Sequence, residues 1–314
     1  MQPPEDMAPD RLTIGQVVEQ LSAEFPDITH SSLRFLEREG LITPDRTLGG
    51  HRLFPADQVN RIRTIKLWQR QRLSLDEIRE RLKRADTLPA PGRIAADLLD
   101  RLVAGDRDGA QRIAVQTADV GLPLAAIYDR ILLAVLAESD ARLDRGDFTA
   151  GLAREVFEAV HDLVILLGAR QRTGEARPRA AILAAGLAGE AREPRLRMLA
   201  ALLRERGLRV YLLGTDASPG TIAERARARA PEALLLVNTR ADQLPALRRS
   251  LEALRAGDHT STPPHIFVAG RGLDDADVLA LDPRLTIIAD RDLQATADYI
   301  AMTIARQMRD RGRN

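Results

Sequence analysis

The sequence predicts a multidomain chain of α and α/β class: a winged helix-turn-helix, then a four-helix bundle, then a doubly wound parallel sheet. Three observations carry this prediction. Two short amphipathic helices joined by a tight turn precede a Gly-Gly hairpin signal. Four longer amphipathic stretches follow with short connections. Beyond residue 179, short apolar runs alternate with helical segments. At 314 residues the chain is too long for one ordinary core. Hydrophobic residues make up 45% and aromatics only 3%, which suits Ala/Leu-rich helices better than a sandwich of aromatic strands.

Residues 1–10 hold three prolines and no periodic pattern, and read as a disordered leader. The first domain spans 11–88. Ile14, Val17, Val18 and Leu21 follow helical spacing, with Thr13 placed to cap them. After a turn at Pro26, Thr29 caps a second helix running to about Glu39; Leu33 and Leu36 face inward and Gly40 ends it. The segment from Pro44 to Phe54, with Gly49-Gly50 at its tip, reads as a hairpin wing bearing Arg46 and Arg52 on its arms. Pro55-Ala56-Asp57 opens a third helix with Val59, Ile62 and Ile65 on one face. Ser74 and Glu77 form a capping box for a fourth.

Pro89-Ala90-Pro91-Gly92 marks a domain boundary. The second domain, 93–168, divides into helical stretches near 93–104, 107–119, 123–144 and 150–167, with apolar stripes such as Leu124, Ile127, Ile131 and Val135. A polar, Arg-rich linker covers 169–178. The third domain, 179–311, places strands at Ala180–Leu187, Arg209–Leu213, Ala233–Asn238, His265–Val268 and Leu285–Ile288, separated by helices. Ser218-Pro219 is a cap followed by proline at the first helical position, and the last helix runs over Arg291–Arg311.

Charge is unevenly placed although the net is +1. Residues 1–28 carry six acids and one base, whereas 29–84 carry 13 bases and seven acids. Arg61, Arg63, Lys66, Arg70 and Arg72 follow one another without an acid, the footprint expected of a nucleic-acid-binding module. The absence of cysteine excludes disulfides, thiolate metal sites and cysteine catalysis. No Ser-His-Asp set, paired-carboxylate motif, Walker loop or metal-ligand spacing is present, so no enzymatic activity is expected. No signal peptide and no apolar run of about 20 residues occurs, which predicts a cytoplasmic protein with no membrane partner.

Thr13-Ile14-Gly15-Gln16-Val17, then Ser32 through Leu41, then Arg46 through Phe54 resemble the MerR family of bacterial regulators. The resemblance implies a dimer whose recognition helices enter successive major grooves of operator DNA while the wings grip the flanking backbone. It places Thr29, His30, Ser31 and Arg34 on the recognition helix and Arg46, His51 and Arg52 on the wing; Thr13 and Ser32 complete the candidate set. Arg34 could read a guanine edge or bind phosphate. The family usually has tyrosine where this chain has Phe35 and His51, which removes two phenolic donors to phosphate. The competing readings are an Arg34 ion pair with Glu37 or Glu39, and a core role for Trp68.

The remainder, roughly 93–290, resembles in layout the cobalamin-dependent photoreceptor repressors of the CarH and LitR group, with a helical cap before a flavodoxin-like domain. The chemistry departs from that group. The cobalt-ligating histidine corresponds to Arg192, a guanidinium with no lone pair to offer a metal, and Arg195 replaces a loop glycine. The cap's Trp and Glu-His positions are Leu143, Ala153 and Arg154. Val237-Asn238-Thr239 and Gly270-Arg271-Gly272 keep only part of two further motifs. His161 is the bundle's remaining histidine, and a single helical histidine is more often structural.

The expectation is a sequence-specific DNA-binding transcriptional regulator, in leaning a repressor, with a degenerate, cobalamin-independent sensory or oligomerisation region. Its partners would be double-stranded operator DNA and a second copy of itself, or a higher oligomer, with RNA polymerase or an unknown small ligand as further candidates. An anionic ligand near Arg192, Arg195, Asn238, Gly270 and Gly272 is conceivable. Plain exposure of arginines in an Arg-rich chain is the stronger reading of that cluster. The alternatives are a cobalamin-dependent, light-responsive repressor with non-standard cofactor binding, and a corrinoid carrier for methyl transfer.

Overall fold

In the computed structural model, the hairpin expected at the wing is part of a larger sheet. Strand β1 (Arg11–Thr13) pairs antiparallel with β3 (Arg52–Pro55), which pairs on its other side with β2 (Asp45–Arg46). Three residues are too few to show a period of two, so β1 left no pattern to read. The structure describes residues 11–22, 24–47, 49–70, 72–170, 180–188, 193–237, 243–256, 264–270, 274–288 and 292–311. The leader, most of the linker, Arg192, Asn238 and Gly272 lie outside them.

Helices α1 (Ile14–Ser22), α2 (His30–Arg38), α3 (Ala56–Arg70) and α4 (Leu75–Asp86) begin at the caps the sequence indicates. Thr13 and Gln16 cap α1 reciprocally, the Thr13 amide donating to Gln16 Oε1 at 2.8 Å. Ser74 and Glu77 do the same for α4, and those hydrogen bonds from the Ser74 amide and hydroxyl hold the Glu77 carboxyl below its ordinary value. Gly40, at φ +66°, terminates the α2 segment where a side chain would be strained. Val17, Leu21, Phe25, Leu33, Leu36, Phe54, Ile62, Ile65 and Ile78 bury together as one core.

The described residues form two compact units. The first runs to Ala90 and takes in Val115–Pro123; the second comprises Pro91–Ala114 and the chain from Leu124 onward. Helix α6 (Arg107–Val120) is continuous across this division, after α5 (Pro91–Val103). The single helix expected over 123–144 is instead α7 (Leu124–Ile127), a π-helical turn at Tyr128–Leu132, and α8 (Leu133–Asp144). The extra residue of a π turn leaves the apolar spacing nearly intact, which is why periodicity does not reveal it. Tyr128 is fully buried and donates to the Val164 carbonyl of α9 (Ala150–Arg170) at 3.3 Å.

In the same unit, β4 (Ala180–Leu187), β5 (Leu208–Ala217), β6 (Ala233–Val237), β7 (His265–Ala269) and β8 (Thr286–Ile288) form an all-parallel sheet ordered β5-β4-β6-β7-β8. This is the flavodoxin-like order, with the first strand inside the second. The intervening helices are α10 (Glu193–Glu205), α11 (Pro219–Arg229), α12 (Leu244–Arg255), α13 (Asp275–Leu281) and α14 (Leu293–Arg311). Leu183, Ala185, Leu187, Leu234, Leu236 and Val268 project to one face and bury against Ile222 and Ala223 of α11 and Leu247 and Leu251 of α12. Among the described residues, no helix is long and apolar enough to cross a membrane.

Candidate functional site

The recognition helix is built from its cap outward. Thr29 Oγ1 accepts the Ser32 amide at 3.1 Å while Ser32 Oγ accepts the Thr29 amide at 2.9 Å. Both hydroxyls are therefore occupied in starting α2, as Thr13 is in starting α1. His30, Ser31 and Arg34 are exposed, and their spacing puts them on one face of the helix. Arg34 makes no hydrogen bond or ion pair within the described residues. Pairing with Glu37 or Glu39 is corrected: Glu39 sits 3.5 Å from Arg79, and Glu37 is taken by the wing.

Glu37 joins the recognition helix to both arms of the wing. Its Oε1 accepts from Arg46 Nη2 at 2.8 Å and its Oε2 from Arg52 Nε at 2.5 Å. Arg46 Nη1 also donates to the Gly50 carbonyl at the wing tip, at 3.4 Å. The tip closes with the Thr47 amide on the His51 carbonyl and the Gly50 amide on the Thr47 carbonyl, Gly50 turning at φ +78°. One carboxylate thus faces two guanidiniums, leaving a net positive cluster whose Arg46 side chain remains 53% exposed. His51 is exposed beside it. Glu37 was legible only as a candidate partner for Arg34, because its real partners are 9 and 15 residues away.

The basic run from Arg61 to Arg72 has a different destination from the one its composition suggests. Arg63 and Glu24 form a buried pair at 2.9 Å, and Lys66 binds Asp27. Burial opposes the Asp27 charge most strongly, but the Lys66 hydrogen bond and charge, a backbone hydrogen bond and the Arg70 charge together outweigh it, and the carboxyl titrates below its ordinary value. Arg70 donates to the Glu24 carbonyl and stacks over Phe25, and Arg61 binds Asp86 at 2.8 Å and the Leu41 carbonyl at 2.7 Å. Glu24 and Asp27 thus neutralise Arg63 and Lys66 of α3 inside the first unit. Trp68 is core, 6% exposed, as its position on α3 suggested.

In the second unit, Gly270 (φ +146°) follows β7 at the carboxyl end of the sheet. Arg195 lies on α10, half-buried, and its charge acts on Asp129 of the π turn. Of the positions matching the cobalamin group's helical cap, Arg154 is exposed and pairs with Glu158 of its own helix at 3.5 Å, and Leu143 is 37% exposed. His161 is half-buried on α9. Among the described residues, no group of three His, Cys, Asp or Glu side chains could hold a metal ion.

A capped helix following a tight turn, with a wing fastened to it, defines the first unit as a winged helix-turn-helix. Residues 12–85 match the model for MerR HTH family regulatory proteins, so this segment is a MerR-type domain. Two proteins, from Mycobacterium bovis and Mycobacterium tuberculosis, described as uncharacterized HTH-type transcriptional regulators, are each 38% identical over 123 residues. Those residues are 39% of this chain and 50% of each relative, so the chain spans about half the length of the curated relatives it matches. The monomethylamine corrinoid protein of Methanosarcina barkeri superposes along its whole length on 68% of this chain, with a TM-score of 0.55 and 14% identity. At that identity the likeness is one of fold: a helical bundle with a flavodoxin-like sheet.

Proposed function

We propose that the chain is a sequence-specific DNA-binding transcriptional regulator acting as a homodimer and repressing by occupying its operator. The observation that carries this reading is the exposed, unpaired Arg34 on a capped helix whose orientation to the wing is set by Glu37. Arg34, with His30 and Ser31, reads base edges or the adjacent phosphates, and Arg46, His51 and Arg52 grip the flanking backbone. Thr13, Thr29 and Ser32 contribute through the helix ends they cap, which present backbone amides to phosphate. The second unit serves sensing or oligomerisation without cobalamin. Support for that is the donor chemistry: arginine stands at the ligand position and at a cap position.

Footprinting on DNA upstream of the protein's own gene tests the proposal. Wild type is expected to protect a discrete site, and Arg34→Ala to lose about 1–3 kcal/mol of discrimination there. If both proteins bind every duplex alike, with the same steep salt dependence, base reading by Arg34 is wrong.

A further inference from the structure

We propose that the cleft between α10 and the edge strand β5 binds a small phosphate-bearing molecule through Arg197 and Arg204. The cleft holds about 450 Å³ and is lined by Arg197, Arg204 and the segment Leu212–Thr215. That volume suits a small ligand rather than a macromolecular partner. The two arginines stand seven positions apart on α10, so they lie on one helix face two turns from each other. Burial, and then the charge of Arg197, both disfavour the charged form of Arg204, and an anion between the two would relieve both effects. Guanidiniums offer paired donors that match phosphate oxygens, and two of them can hold one such group from both sides.

The strand is shaped for this approach. Among the described residues β5 ends the sheet, with no strand paired on its outer side. Its pairing with β4 passes from Ala184↔Leu212 to Ala185↔Gly214, which leaves Leu213 as an extra residue, a bulge. Gly214 follows at φ +86°, where a side chain would be strained. Bulges of this kind bend an edge strand and re-aim its groups, and they recur beside binding sites. The cleft is thus a cationic wall facing a bent, open peptide edge.

Calorimetric titration of the full chain with inorganic pyrophosphate and, separately, with ADP tests the assignment, with hydrogen exchange followed over residues 208–217. Saturable binding is expected, with slower exchange in that segment. Arg197→Gln should weaken it about tenfold or more, as expected for losing a charged hydrogen-bonding partner. Arg204→Gln should do the same. Because Arg204 also donates to the Val210 carbonyl, the Arg197 variant decides if the Arg204 variant folds poorly. Arg248→Gln, exposed on α12, should bind as wild type does. Tighter binding of ADP would identify an organic phosphate, and tighter binding of pyrophosphate the free anion. No saturable binding at millimolar concentrations, or undiminished binding in the Arg197/Arg204 double variant, overturns the assignment.

Discussion

Glu37 holds Arg46 and Arg52 with one carboxylate, and neutralising it separates two effects of opposite sign. Removing a negative charge beside the proposed DNA-facing surface strengthens indiscriminate attraction to phosphate. Loosening the wing from the recognition helix weakens binding that depends on both touching at once. The exposed Arg46 bond contributes on the order of 1 kcal/mol or less, and the better buried Arg52 bond more. Glu37→Gln is therefore expected to lower the ratio of specific to non-specific affinity by about tenfold with little change in melting temperature. Competition between an operator duplex and an unrelated duplex measures this ratio, and an unchanged ratio would remove Glu37 from the reading of DNA.

Two element-level contacts carry predictions. After α6, Gly121 adopts φ +108°, and a Cβ there would collide with the indole of Trp68. Arg81 of α4 lies over the same ring, 5.6 Å from its centroid. Gly121→Ala should destabilise the first unit by about 1–3 kcal/mol through strain and overpacking. Trp68 is the chain's one tryptophan, so its emission should move to the red as the ring is displaced. Unchanged emission and an unchanged urea midpoint would show that the contact is dispensable. In the second unit, Asp129 of the π turn accepts the Leu293 amide at 3.0 Å and the Gln294 amide at 3.4 Å, capping α14 from a remote element. Burial raises its pKa despite those bonds. A raised carboxyl pKa favours the folded state below the unfolded value and loses that advantage as pH rises through the folded value. Asp129→Asn keeps an acceptor without the charge, so it should match or exceed wild type in melting temperature at neutral pH. That relation should weaken or reverse in acid below the ordinary aspartate range; the opposite trend would show that ionised Asp129 stabilises the cap.

Across the whole molecule, the proposed loss of cobalamin predicts that protein from its own host is colourless. It also predicts the same oligomeric mass with added cobalamin in light and dark. A red protein that assembles in a light-dependent way would reverse that reading. The order of architectures and the caps at Thr13, Thr29, Ser74 and Ser218 can be read from the sequence alone. Each depends on neighbours within a turn or two, where periodicity and hydrogen-bonding chemistry act directly. Where the charges go is settled by the fold. Arg63 and Lys66 meet acids 39 residues away, and Arg52 meets Glu37 from 15 away. Composition records how many charges a segment carries, but folding chooses their partners. The same holds for β1, too short to show a period, and for residues 115–123, which leave the bundle's sequence pattern to join the first unit. Those assignments follow from packing between distant segments, a property that no local window of sequence contains.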